Sequence, residues 1–245
     1  MIKTGFFPYI IFYSLFFLSV LTINYGINSI SMISYLLIVI TSVFSKERDD
    51  VAILFCLIPI QRVFMLSRGF MTTVPIISII VIVKHIFNYG FNKSTLEQVI
   101  IILILLLYSS LVEFVRFSTT TKSMEYILTI LLMFVVSQLV DNKLRLTCFS
   151  LFCLNALLSS LIGFVAPSVS RYTALFTMEF NPRFQGLMAD PGEFALSMIC
   201  AISMSFSIYS CLSHNSKFTK YNGFFAIVLV LYCLIFSFAF TPNLC

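Results

Sequence analysis

An all-α, polytopic membrane fold is what this sequence predicts, and three observations carry it. Mean hydropathy is +1.03, and hydrophobic residues make up 60% of the chain against 10% charged, where soluble domains carry about 25% charged residues. A soluble core built from 245 residues cannot hide that much apolar surface, so most of it needs lipid as its solvent. The apolar residues also run continuously over helix-crossing lengths, unlike the alternating segments of about ten residues that mark a β-barrel.

Taking about 20 apolar residues per crossing, nine segments qualify. The first, 6–23, follows Lys3 and lacks a small-residue cleavage site, so it reads as an uncleaved span and not as a removable signal. The second, 28–45, lies beyond the short loop Asn24-Tyr-Gly-Ile-Asn28 and ends at Lys46-Glu-Arg-Asp-Asp50, which reads as a cytoplasmic turn. The third, 51–66, is short, is broken by Pro59 and contains Gln61 and Arg62. It fits a tilted span, a re-entrant segment, or half of a long hairpin with the fourth, 70–87. The fifth, 96–115, closes on Glu113 and Arg116, which stand three apart and can pair on one helix face. The sixth and seventh are 124–140 and 146–166, the eighth 194–212 and the ninth 223–240. No repeat of fixed period occurs and no soluble domain stands apart, so residues 1–245 form one transmembrane domain. The connections are short except for 167–193.

Basic residues orient the spans. With the N-terminus in the cytoplasm, the inner side holds Lys3, Lys46, Arg48, Lys84, Lys93, Lys143, Arg145, Lys217 and Lys220. The outer side holds Arg62, Arg68, Arg116, Lys122, Arg171 and Arg183. The nine-to-six bias has the expected direction. The residue types separate further, with mostly lysine inside and mostly arginine outside. Topology does not ask for arginine outside, whereas forked recognition of phosphate does.

Several classes are disfavoured. The net charge of +5 comes from single basic residues scattered between apolar runs, not from a nucleic-acid-binding patch. Seven cysteines lie mostly inside apolar runs without a CxxC pair and read as small core residues. His85 and His214 are far apart in sequence, offer no metal-ligand spacing, and fit interface or loop roles.

The connection 167–193 is the polar island of the chain. It carries Arg171, Glu179, Arg183, Asp190 and Glu193, and a loop this long in a compact membrane protein is often functional. Its end reads as a helix start: Asp190 as N-cap, Pro191 at the first helical position, Glu193 three residues after the cap. Gly186 and Gly192 allow backbone conformations or close approach denied to other residues. Capping accounts for the two carboxylates but not for Arg183, which stands before the positive end of a helix, where phosphate is attracted.

At these residues the chain resembles the O-antigen polymerases and O-antigen ligases, integral membrane glycosyltransferases of bacterial surface-polysaccharide assembly. Arg183-Phe-Gln-Gly186, then Asp190-Pro191 and Phe194-Ala195 opening an apolar helix, are similar to the family's R-F-x-G … D-P-N … A signature, with Gly192 where the family usually has asparagine. The motif covers about fifteen residues, and the multispan body is similar along the whole chain. The family carries more spans and a large outer loop after this region. Here the chain stops at Thr241-Pro-Asn-Leu-Cys245, so the expectation is the N-terminal part of a longer polymerase.

The resemblance implies chemistry at the periplasmic face of the bacterial inner membrane. A hydroxyl of an incoming lipid-linked repeat unit attacks the anomeric carbon of a glycan carried on undecaprenyl diphosphate, and the lipid diphosphate leaves. Arg183, assisted by Arg171 or Arg116, would stabilise the leaving diphosphate. Glu193, Asp190 or Glu179 would serve as base for the acceptor hydroxyl. No metal or cofactor is implied. The expected partners are the lipid-linked oligosaccharide, membrane lipid, a chain-length regulator and a flippase, with no nucleic acid. The alternatives are the ligase branch and a flippase or transporter of the same oligosaccharide. A glycosyltransferase with another lipid donor would carry an acid in its first outer loop, which is absent here, and a non-catalytic scaffold stays open.

Overall fold

The structure is a computed structural model. It describes residues 7–27, 29–64, 73–90, 121–173, 185–188 and 191–213, with isolated helical positions from 97 to 115 and at 231. Among these residues all regular structure is helical and no strand occurs. The helices are α1 (Phe7–Asn24), α2 (Ser29–Phe44), α3 (Glu47–Leu57), α4 (Thr73–Asn88), α5 (Thr121–Leu139), α6 (Asn142–Val165), α7 (Pro167–Thr173) and α8 (Pro191–Ser213), and a 3₁₀ segment, Ile58–Val63, continues α3.

Local chemistry sets several boundaries. α1 ends in a Schellman motif: Gly26 takes φ +80°, its N–H bonds to the Ile23 carbonyl, and the Ile27 N–H reaches back to Thr22 at 2.8 Å. α6 starts from Asp141, whose carboxylate accepts the Leu144 N–H at 2.7 Å. α7 and α8 both begin on proline, whose fixed φ and missing N–H suit the first helical position. Pro59 marks the point where α3 tightens into the 3₁₀ segment, because a proline ring cannot continue the regular hydrogen-bond ladder.

The third segment lies at the centre of the bundle. Val51, Ala52, Cys56, Leu57, Ile60, Val63 and Phe64 are all fully enclosed. Eleven α-helical residues and six 3₁₀ residues extend about 28 Å at about 1.5 and 2.0 Å per residue. That length is close to the thickness of a bilayer's hydrocarbon core, about 30 Å. α6 packs along α3 and also against α8, α4 lies between α3 and α5, and α1 pairs with α2.

Side-chain bonds define two ends. Asn24 of α1 accepts from Ser168 of α7, and Ser31 at the start of α2 donates to the Val63 carbonyl. These contacts mark the upper end. Arg48 of α3 pairs with Asp141 before α6, marking the lower end.

Large apolar side chains lie both inside and outside the bundle, and several serines are buried between helices. Phe44 and Phe87 are each 85% exposed, whereas Ser19, Ser31, Ser34 and Ser42 are fully buried. The buried hydroxyls bond across or along helices, as in the 2.8 Å contact of Ser19 with Ser34 between α1 and α2. Asn155 of α6 likewise donates to the Tyr13 hydroxyl of α1 at 2.9 Å. One described helix, Asn142–Val165, is long and apolar enough to cross a membrane, and five shorter apolar helices accompany it.

Two expectations are corrected here. Residues 46–50 are not a solvated turn: Glu47 opens α3, and Glu47 and Asp50 are buried. The stretch 167–193 is not wholly a loop, since Pro167–Thr173 is helical. The spans expected at 96–115 and 223–240 lie mostly outside the described residues.

Candidate functional site

Of the island expected to carry the site, residues 185–188 are seated in the upper end of the bundle. Residues Gln185 to Met188 form a tight turn closed by the Met188 N–H to the Gln185 carbonyl at 3.1 Å. Gly186 occupies its second position with φ +57°, a conformation that favours glycine. Gln185 Nε2 donates to the Ser170 carbonyl of α7 at 3.0 Å, and the Leu187 N–H donates to Ser159 Oγ of α6 at 2.9 Å. Ser159 precedes the end of α6 by six residues, about 9 Å along the axis. The turn therefore enters between α6 and α8, and Leu187 and Met188 are buried. A methyl group at Gly186 would stand 2.8 Å from the Phe194 ring and 2.9 Å from Ser159 Oγ, so only glycine fits this approach.

The Gln-Gly half of the Arg183-Phe-Gln-Gly186 motif is thus docked against Phe194, the residue that follows Glu193 at the head of α8. Of the candidate residues, Glu193 sits exposed in the first turn of α8. Arg171 lies in α7 by its backbone, and its side chain is outside the described residues. Arg183, Asp190, Glu179 and Arg116 also lie outside the described residues. Pro191 opens α8 as the sequence implies. Sequence reasoning missed Ser159 and Ser170, which look like ordinary helix serines until the turn is seen to bond to them.

The comparisons with known proteins add no relative: no family model, no curated protein and no solved structure matches the chain.

A second polar cluster, also missed, occupies the lower end. Asp50, fully buried, lies 2.7 Å from Lys84 Nζ of α4. It also accepts hydrogen bonds from Ser42 Oγ at 2.9 Å and from Ser45 Oγ. Lys84 donates further to the carbonyls of Ser42 and Ser45 at the end of α2, where a cation suits the helix dipole. Beside it, Glu47 Oε1 lies 2.7 Å from His85 Nδ1, and Gln138 Oε1 of α5 lies 2.7 Å from His85 Nε2. Glu47 and His85 are both buried. The first turn of α3 is therefore held by α2 and α4, and α5 braces His85 from its other side.

On the outer flank of this end, Tyr9, Lys46, Arg48, Asp49 and Lys143 line an open groove of about 380 Å³. Asp141 on its rim has its carboxyl below the usual range, because it accepts the Leu144 N–H and faces Arg48. Among the described residues, no group of three or more His, Cys, Asp or Glu side chains could hold a metal ion.

Proposed function

We propose that this chain is a nine-span integral membrane protein of the bacterial inner membrane that polymerises lipid-linked oligosaccharide repeat units at the periplasmic face. The membrane assignment is supported by exposed Phe and Leu outside and serines within. The observation that carries the catalytic assignment is the docked turn. Gln185-Gly186-Leu187 is inserted against Ser159 and Phe194, so the Gln185-Gly186 half of the motif is anchored at the head of α8.

A helix head supplies free N–H groups and a positive dipole to an anion. Arg183, assisted by Arg171 or Arg116, adds the planar charge that two phosphates need as the glycosyl bond breaks. In the reaction, the acceptor hydroxyl oxygen bonds to the anomeric carbon, the bond from that carbon to the diphosphate oxygen breaks, and lipid diphosphate departs with the electron pair. The acceptor's proton passes to a carboxylate, with Glu193, Asp190 and Glu179 as the candidates.

The test is the reconstituted chain with lipid-linked repeat units. Wild type is expected to convert single repeats into longer lipid-linked chains. Arg183→Ala is expected to lower the rate by about 100- to 1,000-fold, as for loss of one donor to a developing anion. Arg183→Lys recovers only part of it, because the fork is lost and the charge kept. An Arg183→Ala rate equal to wild type removes Arg183 from the mechanism.

The buried pairs Asp50–Lys84 and Glu47–His85 favour a second reading, a flippase or transporter of the same oligosaccharide. Intramembrane titratable groups often mark transport paths. In that case the same vesicles move the lipid-linked repeat across the bilayer without extending it.

A further inference from the structure

At the lower end, α1, the head of α3 and the head of α6 leave an open groove of about 380 Å³ between them. That lies within the range of about 300–1,000 Å³ usual for ligand sites. Three cations line it from two helix heads: Lys46 and Arg48 at the start of α3, and Lys143 in the first turn of α6. Asp49 and Asp141 also line it, so the groove carries one positive charge in excess. Asp141 is already engaged, holding Arg48 and the Leu144 N–H. That leaves Lys46 and Lys143, both exposed, and the half-buried Asp49 to meet a ligand.

The rest of the lining is Tyr9 of α1 with Leu144 and Thr147 of α6. One turn further along α1, the Tyr13 hydroxyl accepts from Asn155 of α6 at 2.9 Å, which ties the two helices together above the groove. Leu154 stands two turns beyond Thr147 on the same face of α6 and is 45% exposed, and Ile10 beside Tyr9 is 52% exposed. Charge at one end of an apolar surface matches an amphiphile with an anionic head and a hydrocarbon tail. The distribution of basic residues turns this end to the cytoplasm, where basic pockets between helices bind anionic lipid headgroups. We propose that the groove binds the headgroup of an anionic glycerophospholipid of the cytoplasmic leaflet. Lys46 and Lys143 meet the phosphodiester, and Asp49 accepts hydrogen bonds from headgroup hydroxyls. One phosphodiester cancels the excess charge, whereas a zwitterionic headgroup leaves it unmatched. Free phosphate has no hydrocarbon to cover the apolar residues alongside. The inference rests on the membrane placement of the chain and not on glycan extension.

Native mass spectrometry of the detergent-purified full-length chain tests it, with phosphatidylglycerol, phosphatidylethanolamine, phosphatidylcholine and inorganic phosphate as the probes. Phosphatidylglycerol should bind tightest. Lys46→Ala and Lys143→Ala should each weaken its binding about fivefold, the equivalent of about 1 kcal/mol per surface cation, and together about 25-fold. Arg145→Ala removes a cation of the same end that bonds to Asn142 and does not line the groove, and it should leave binding unchanged. Equal weakening by Arg145→Ala and Lys143→Ala would mean diffuse attraction and overturns the site. So does phosphatidylethanolamine or inorganic phosphate held as tightly as phosphatidylglycerol. Membrane placement is read separately, by co-sedimentation of the full-length chain with phosphatidylcholine vesicles after an alkaline wash. A chain that stays with the vesicles yet shows no preference for phosphatidylglycerol refutes the groove alone. A chain that washes off refutes the placement beneath it.

Discussion

Lys84→Met is expected to destabilise the folded chain by about 3–5 kcal/mol, the usual penalty for stripping the partner from a buried charge. Asp50 is completely enclosed, and in the variant it keeps two serine donors and no cation. It then either stays ionised without charge compensation or takes up a proton. Asp50→Asn is expected to be milder, because Lys84 is partly exposed and keeps the carbonyls of Ser42 and Ser45. Pairing Lys84→Met with Asp50→Leu should recover most of the loss, since apolar replacement of a whole buried ion pair is often neutral or stabilising. Thermal unfolding in detergent micelles reads all three. A double variant no more stable than Lys84→Met alone would show that the pair is not the origin of the effect.

Gly186→Ala should cost roughly 2–5 kcal/mol, summing about 1–2 for a left-handed non-glycine residue and about 1–3 for overpacking. The methyl group meets the Phe194 ring at 2.8 Å and Ser159 Oγ at 2.9 Å, and neither can retreat. Phe194 is fully buried, and Ser159 accepts the buried Leu187 N–H. The turn should therefore leave its seat between α6 and α8, and glycan extension should fall even though Arg183 is untouched. Protease sensitivity near residues 185–188 and the extension assay read the two consequences. Wild-type behaviour in both would mean that the docked turn does not support the site.

The sequence revealed elements whose cause is local. Continuous apolar runs located α1, α2, α4, α5, α6 and α8 to within a few residues, because each run supplies its own helical hydrogen bonds and apolar face. Pro191 announced the start of α8 for the same reason. The burial of Glu47 and Asp50 was not legible. Three acids in the first turn of an apolar helix are as well explained by the helix dipole in solvent, and their partners Lys84 and His85 lie over thirty residues away. One signal existed: a charged pair three residues apart, followed at once by a run with no polar face, needs partners on neighbouring helices. The short helix Pro167–Thr173 also carried a legible start, a proline followed by serine and valine, but its helical length was too small to show periodicity. Ser159 could not have been chosen among the serines of α6, since its role is set by a turn 28 residues later.

The central claim is that this chain extends lipid-linked repeat units, with Arg183 at the leaving diphosphate. Its most direct measurement is the length distribution of surface polysaccharide on a gel, from cells lacking the gene and complemented with wild type or Arg183→Ala. The account predicts a ladder of lengths with wild type and single unextended repeat units with Arg183→Ala at equal protein level. A normal ladder in the cells lacking the gene, or in those with Arg183→Ala, would contradict it.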